Sequence, residues 1–171
     1  GNEFGAIGCL GDKEKDINLA IAKKLEILLK SSGANVFMTR DNDIDVSLND
    51  RVKISKNNNT DVFISIHNNA LPDSLAPSYR SGTESYYFYP QAKELASTIQ
   101  KSLTTELGTI DGKVKQESFA VVRNTESLSI LLEIGYMINP QDNANLVDSE
   151  FQQKTAEAIL HGLEKYFNVQ Q

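Results

Sequence analysis

Apolar residues recur at helical spacing near the start of the chain, and this pattern predicts a first helix. Asp12 is a good N-cap residue, Gly33 supplies the stop, and the apolar positions between them are Ile17, Ile21, Leu25, Leu28 and Leu29. Ser47 caps a second, short helix that the Asn57 to Asn59 cluster ends. Two further amphipathic patterns, 92–103 and 151–167, predict later helices.

Short runs rich in apolar and β-branched residues predict strands between these helices. The predicted strands are 36–38, the nearly continuous apolar run 62–66, then 83–89, 119–122 and 130–134. The run 62–66 has the composition of a parallel strand that is buried on both faces. Alternating helices and strands favour a three-layer α/β fold, in which helices flank a twisted, mainly parallel sheet.

The first residues of the chain do not fit the start of such a sheet. A sheet of this kind normally begins with a strand, whereas the opening GNEFGAIG is typical of a loop and a helix follows it. We therefore expect residues 1–171 to form one domain whose first strand lies upstream of Gly1.

The composition of the chain argues against some classes of binding partner. With 171 residues, 40% hydrophobic and 23% charged, the chain has the composition of a globular domain. Its formal charge of −6, without a run of basic and aromatic residues, argues against nucleic acid. No uncharged apolar stretch approaches the roughly 18 to 20 residues that membrane insertion requires. The single cysteine, Cys9, has no partner for an internal disulfide.

Glu133 is the most unusual polar residue, because it lies within the apolar run Ile130 to Ile134. An ionised carboxylate is costly to bury there without a partner. Simple alternation could place Glu133 on a solvent-exposed face, but Leu131 would share that face. A carboxylate with a raised pKa at a strand end is suited to proton transfer, so Glu133 is a candidate general base.

Other polar residues have simple structural interpretations beside the functional ones. His67 follows the strand predicted at 62–66, where open α/β sheets bind ligands, although a lone histidine is more often structural. Glu14 lies in the first turn of a helix, where a carboxylate interacts well with the helix dipole. His161 is interpreted as a surface or packing residue. For Arg40 and Arg123, pairing with loop carboxylates is favoured over substrate binding.

Four segments together resemble the zinc-dependent N-acetylmuramoyl-L-alanine amidases of the amidase-3 family. They are 14–20, 39–41, 65–70 and 132–136 with Asn139 and Pro140, and the resemblance extends to about Phe167. It implies a twisted α/β sheet that binds one Zn²⁺, with Glu14 and His67 as metal ligands and Glu133 as the catalytic carboxylate. It also implies a first histidine ligand in a Gly-His-Gly-Gly turn, inside which this chain begins.

The activity implied by the resemblance is hydrolysis of the amide bond between N-acetylmuramic acid and the L-alanine of the peptidoglycan stem peptide. Zinc would lower the pKa of a bound water toward about 7, and Glu133 would transfer the proton to the leaving amine. The resemblance further implies a role in cell-wall catabolism and cell separation, and an extracytoplasmic location in the periplasm or cell wall. We expect a monomer, with any activator or cell-wall-targeting domains outside this chain.

Two alternatives remain open. The chain could be a non-catalytic peptidoglycan-binding or activator domain with a degenerate amidase fold that lost its metal. It could also be a metallohydrolase of small amides, although nothing in the sequence indicates a closed small-molecule pocket. A glycan strand needs an open groove, and the long loop 68–82, rich in proline and serine, is predicted to form one of its walls.

Overall fold

The computed structural model describes residues 1–71, 76, 79–124 and 126–169, and it has the α/β fold that the sequence predicts. The elements are α1 (Glu14–Ser31), α2 (Leu48–Asn57), β1 (Val62–Asn69), β2 (Thr83–Tyr87), α3 (Lys93–Leu107), β3 (Asp111–Gln116), β4 (Leu128–Tyr136), α4 (Pro140–Val147) and α5 (Ser149–Val169). Short 3₁₀ turns lie at Pro90–Ala92 and Ala120–Arg123. Within the described residues, no helix is both long and apolar enough to cross a membrane.

The four strands form one mixed sheet in the order β1-β4-β2-β3. β1 pairs with β4 in parallel, β2 pairs with β3 in parallel, and β2 runs antiparallel to β4. The expected mainly parallel sheet is therefore confirmed. Its register places His67 of β1 beside Glu133 of β4, and Glu133 beside Glu84 of β2.

Alternation along β4 separates two hydrophobic clusters on opposite faces of the sheet. Ile130, Leu132 and Ile134 belong to the larger cluster, which also contains apolar residues of α1, α3 and α5. Leu131 points the other way, because successive strand residues face opposite sides. It packs with Phe63, Tyr86, Val121 and Val122 in the smaller cluster.

The start of α1 differs from the prediction. Lys13, not Asp12, is the N-cap residue, and it makes no capping hydrogen bond through its side chain. The backbone N–H groups of Glu14 and Lys15 instead donate to the carbonyls of Ala6 and Phe4, at 2.9 and 3.2 Å. Because these carbonyls satisfy donors that the first turn leaves unpaired, no side-chain cap is needed there. The same bonds tie the N-terminal loop to the start of α1. For α2 the prediction is confirmed, since Ser47 accepts a hydrogen bond from the Asp50 N–H.

Two predicted strands are absent from the described sheet. Residues 36–38 are not assigned to a strand, since no described strand hydrogen-bonds to them. Residues 120–123 form a 3₁₀ turn, because Val121 and Val122 are both buried against one face of the sheet, which an extended strand cannot achieve with successive residues. Conversely, β3 was missed because its sequence, DGKVKQ, is polar and half-exposed at the sheet edge.

Among the strands of the described residues, β1 lies at one edge of the sheet, and its burial differs from the prediction. Its residues alternate between buried and half-buried, so it is not covered on both faces as the apolar run 62–66 indicated. A groove of about 650 Å³ runs along it, lined by β1, the first turns of α1 and residues 37–48. The loop expected to wall a groove lies partly outside the described residues, at 72–75, 77 and 78.

Candidate active site

Three polar residues lie in a row across the sheet, where β1 and β4 approach their carboxyl ends. His67, Glu133 and Glu84 occupy paired positions on the adjacent strands β1, β4 and β2. α1 adds Glu14 to this row, because its Oε1 atom lies 2.9 Å from Nδ1 of His67. The fold therefore brings all three residues singled out by the sequence, Glu14, His67 and Glu133, to one rim of the sheet.

Glu14 is a buried carboxylate whose oxygens accept several hydrogen bonds. Oε2 accepts from the Ala6 N–H at 2.8 Å, and Oε1 accepts from Nδ2 of Asn18 at 3.0 Å and the Asn68 N–H at 3.2 Å. Burial by itself raises its pKa, but hydrogen bonds from His67, Ala6 and Asn18 outweigh burial and lower the pKa to about 2. Glu14 is therefore ionised and fixed in orientation at neutral pH.

The close approach of the N-terminal loop to Glu14 depends on Gly5. Gly5 has a φ of +70°, in the left-handed region that favours glycine. A Cβ atom at this position would lie 2.3 Å from Oε2 of Glu14. The absence of a side chain thus allows the loop to bring the Ala6 N–H within hydrogen-bonding distance of the carboxylate.

Glu133 has the opposite environment. Its Oε2 atom is buried and has no hydrogen-bond partner among the described residues. Burial, followed by the negative charges of Glu14 and Glu84, raises the pKa of Glu133 to about 8. The interpretation that Glu133 lies on a solvent-exposed face is wrong. Glu133 shares its face with Leu131, as expected, and that face is packed around Leu131. Glu133 lies at the rim of this packed face.

Glu14 and His67 present donor atoms of the kind that Zn²⁺ accepts, carboxylate oxygen and imidazole nitrogen. The two atoms lie 2.9 Å apart, in direct hydrogen-bonding contact. A catalytic zinc has three protein ligands and an open position for water. Among the described residues, no group of three His, Cys, Asp or Glu side chains could hold a metal ion. The two donors present therefore fit zinc in type, and a zinc site would need one more protein ligand beside them.

Sequence reasoning missed Glu84 and the donors around it. Glu84 lies in β2, all of whose residues are buried, and it accepts hydrogen bonds from the hydroxyls of Tyr86 and Tyr136. Nζ of Lys115 lies 2.8 Å from the same carboxylate. The available signal was the one that singled out Glu133: a carboxylate inside a strand of β-forming residues, here TESYY.

The remaining polar candidates have structural roles. Arg123 donates to the Ser118 carbonyl at 2.9 Å, and Arg40 donates to the Lys15 carbonyl at 2.6 Å. The predicted pairing with loop carboxylates is therefore wrong, because the partners of these bonds are backbone carbonyls. His161 pairs with Glu106 at 2.8 Å on the exposed surface of α5 and α3.

The sequence matches one protein family over almost its whole length. Residues 1–165 match the family described as N-acetylmuramoyl-L-alanine amidase. The chain is 37% identical over 170 residues to the probable cell wall amidase LytH of Staphylococcus epidermidis, covering 98% of this chain and 55% of that protein. It is 39% identical over 169 residues to the N-acetylmuramoyl-L-alanine amidase LytC of Bacillus subtilis, covering 96% of this chain and 33% of LytC. The chain thus spans about half of LytH and a third of LytC.

The fold also matches a solved catalytic domain. The structure of the catalytic domain of CwlV, an N-acetylmuramoyl-L-alanine amidase from Bacillus (Paenibacillus) polymyxa var. colistinus, superposes with a TM-score of 0.91. The superposition covers 99% of this chain and 93% of the CwlV chain, at 34% sequence identity.

Proposed function

This chain belongs to the N-acetylmuramoyl-L-alanine amidase family, and from that premise we propose that it is the catalytic domain of a zinc-dependent peptidoglycan hydrolase. Its substrate bond is the amide between N-acetylmuramic acid and the L-alanine of the stem peptide. The observation that supports this most directly is the pairing of two unlike carboxylates at one rim. Glu14 is ionised and held beside His67, whereas Glu133 has a buried oxygen without a partner among the described residues.

Glu14 and His67 are the residues that would hold the zinc ion. When bound, zinc supplies Lewis acidity, which lowers the pKa of water and polarises a carbonyl. We propose that a histidine upstream of Gly1 is the third protein ligand, as the family resemblance implies. The catalytic domain would then extend from that segment through residue 171.

Glu133 would act as the general base and then as the general acid. A base is most effective when its pKa lies near the working pH. In the metal-free protein, burial together with the negative charges of Glu14 and Glu84 raises the pKa of Glu133 to about 8. Its unpartnered oxygen is available to accept a proton from the attacking water. The same carboxyl group would return that proton to the leaving amine of L-alanine.

Glu14 and His67 both contribute to the lining of the groove of about 650 Å³ along β1, so the candidate site is reached from this groove. Since the substrate lies in the cell wall, we propose an extracytoplasmic location and a role in cell-wall catabolism. A CwlD amidase of similar fold, from Clostridioides difficile, was solved in complex with the GerS lipoprotein. We therefore propose that a separate protein binds this chain and activates it.

The decisive experiment measures metal content and bond specificity together. The full-length protein is purified, its zinc is quantified, and it is incubated with purified sacculi with and without a chelator. We expect about one zinc per chain and release of new L-alanine amino termini that chelation abolishes. Normal binding to sacculi by metal-loaded protein without any release of L-alanine amino termini would instead identify a non-catalytic peptidoglycan-binding domain.

A further inference from the structure

Glu84 lies beside the proposed general base and has an unusually complete set of hydrogen-bond donors. Its Oε1 atom accepts from the Tyr136 hydroxyl at 3.0 Å and is 2.8 Å from Nζ of Lys115. Its Oε2 atom accepts from the Tyr86 hydroxyl and from Nδ2 of Asn69, the latter at 3.4 Å. Four donors from four different strand positions therefore converge on one buried carboxylate.

The register of the sheet places these donors within the neighbourhood of Glu133. Glu84 is the direct cross-strand partner of Glu133, so both side chains stand on the same face. Tyr86 pairs with Leu131, the next residue along β4 on that face. Burial and the hydrogen bond to Glu84 raise the pKa of Tyr86, and the charges of Glu84 and then Glu133 add to this. Yet the Oε2 atom of Glu133 has no hydrogen-bond partner among the described residues.

A purely structural ion pair does not explain this asymmetry. If Glu84 served only to anchor Lys115, one acceptor and one donor would be enough, and neither tyrosine hydroxyl would need to bond to Glu84 as well. Packing also preserves the arrangement, because a Cβ atom on Gly112 would lie 2.4 Å from Cγ of Glu84 and 2.9 Å from the Thr83 carbonyl. Gly112 therefore allows β3 to approach the carboxylate closely.

We propose that Glu84 is a positioning residue that binds Lys115 and the Tyr86 and Tyr136 hydroxyls, and thereby prevents them from pairing with the carboxylate of Glu133. The proton-accepting oxygen of Glu133 then remains available to water. The effect on catalysis rests on the proposed function, whereas the arrangement of Lys115 and the two hydroxyls around Glu84 does not. Without the charge of Glu84, we expect Lys115 and the two hydroxyls to turn toward Glu133, which stands beside Glu84 on the same face of the sheet.

The test compares Glu84→Gln, Lys115→Met and the double variant. Glu84→Gln keeps the side-chain volume but removes the charge that holds Lys115. We expect a kcat loss of roughly tenfold or more with little change in KM, a fraction of the about 10²–10⁴-fold that a general base contributes. Removing Lys115 as well should restore part of the lost kcat, because the competing cation is gone. Lys115→Met alone should have a smaller effect than Glu84→Gln.

Matched controls separate this effect from damage to the fold. Lys113→Met removes an exposed lysine of the same strand that pairs with Asp111, and Glu106→Gln removes a surface carboxylate that pairs with His161. Both should retain kcat. A double variant slower than Glu84→Gln would overturn the proposal, because a merely structural role predicts further loss when Lys115 is removed.

A crystal structure of Glu84→Gln tests the inference independently of activity. We expect Nζ of Lys115, or a tyrosine hydroxyl, within about 3.2 Å of a Glu133 carboxylate oxygen, which is hydrogen-bonding distance. Donors that stay on the substituted side chain at position 84 and leave Glu133 unpaired would refute it. If the unmodified protein released no L-alanine amino termini, the proposed function would fail, while this structural result would still decide the role of Glu84.

Discussion

The two ends of the proposed active site contain the same functional group in opposite electrostatic states. On the β1 side, Glu14 is buried but accepts hydrogen bonds from His67, Asn18 and the Ala6 N–H, and its pKa falls to about 2. On the β4 side, Glu133 is half-buried, its Oε2 atom is buried without a partner among the described residues, and its pKa rises to about 8. Burial opposes ionisation in both cases. The number of donors, not the extent of burial, therefore decides which carboxylate is suited to binding a cation and which to transferring a proton.

Replacing Glu133 with Gln should have the largest effect on activity and little on folding. We expect kcat to fall by about 10²–10⁴-fold, the usual contribution of a general base. Stability at pH 7 should be unchanged or higher, since the substitution removes a buried ionisable group that lacks a partner. Release of L-alanine amino termini and urea unfolding measure the two quantities. A variant with full activity would remove Glu133 from the mechanism.

Replacing Glu14 with Gln should, unlike the change at Glu133, lower the stability of the zinc-free protein. Loss of the charge weakens the hydrogen bonds to Oε1 and Oε2, and hydrogen bonds to charged groups contribute about 1.5–3 kcal/mol. We therefore expect the free energy of unfolding to drop by about 2 kcal/mol in urea, and the zinc content of the metal-loaded protein to fall. Glu26→Gln, in the exposed pair with Lys30 of the same helix, is the control and should cost less than about 1 kcal/mol. Equal losses would show that the environment of Glu14 contributes nothing special.

The contribution of the N-terminal loop can be isolated with two glycines. Gly5 and Gly33 both have positive φ values, +70° and +87°, so alanine at either position costs about 1 kcal/mol or more of backbone strain. Only at Gly5 would the new Cβ atom also contact Glu14, because nothing lies within 4 Å of the corresponding atom at Gly33. Gly5→Ala should thus destabilise the protein more than Gly33→Ala in thermal or urea unfolding. Equal destabilisation would argue that the loop does not depend on its contact with Glu14.

The pH dependence of stability should distinguish the two carboxylates most finely. Between about pH 4.5 and 8 the folded protein binds a proton at Glu133 that the unfolded chain releases. Lowering the pH from 8 toward 4.5 therefore increases the free energy of unfolding. In chelator-treated protein, the stability of Glu133→Gln relative to the unmodified protein should therefore increase as pH rises from 5 to 8. Glu14 has the opposite sign: its contribution is present above pH 4.5 and is lost as pH falls toward 2. Urea unfolding across pH checks both, and parallel curves for Glu133→Gln and the unmodified protein would contradict the raised pKa.

Much of the fold was predictable because periodicity in the sequence is a local property. Helix α1 follows from apolar positions spaced by three and four residues, and α2 follows from the cap at Ser47. β4 is recognisable because it is apolar on both faces. The polar edge strand β3 and the 3₁₀ turn at Ala120–Arg123 were not predictable, since pairing partners and the face of the sheet against which they pack decide their conformation.

The sequence by itself determined which residues could carry the chemistry: an acidic side chain in an apolar strand, a histidine after another strand, and a glutamate at a helix start. Only the tertiary structure decided their contacts and the protonation states of the carboxylates. Glu14 and His67 are 53 residues apart along the chain and meet at 2.9 Å, while Glu84 approaches Glu133 through antiparallel pairing of β2 with β4. The pKa of a carboxylate depends on donors and charges within a few ångströms, and no pattern along the chain specifies which distant residues will supply them.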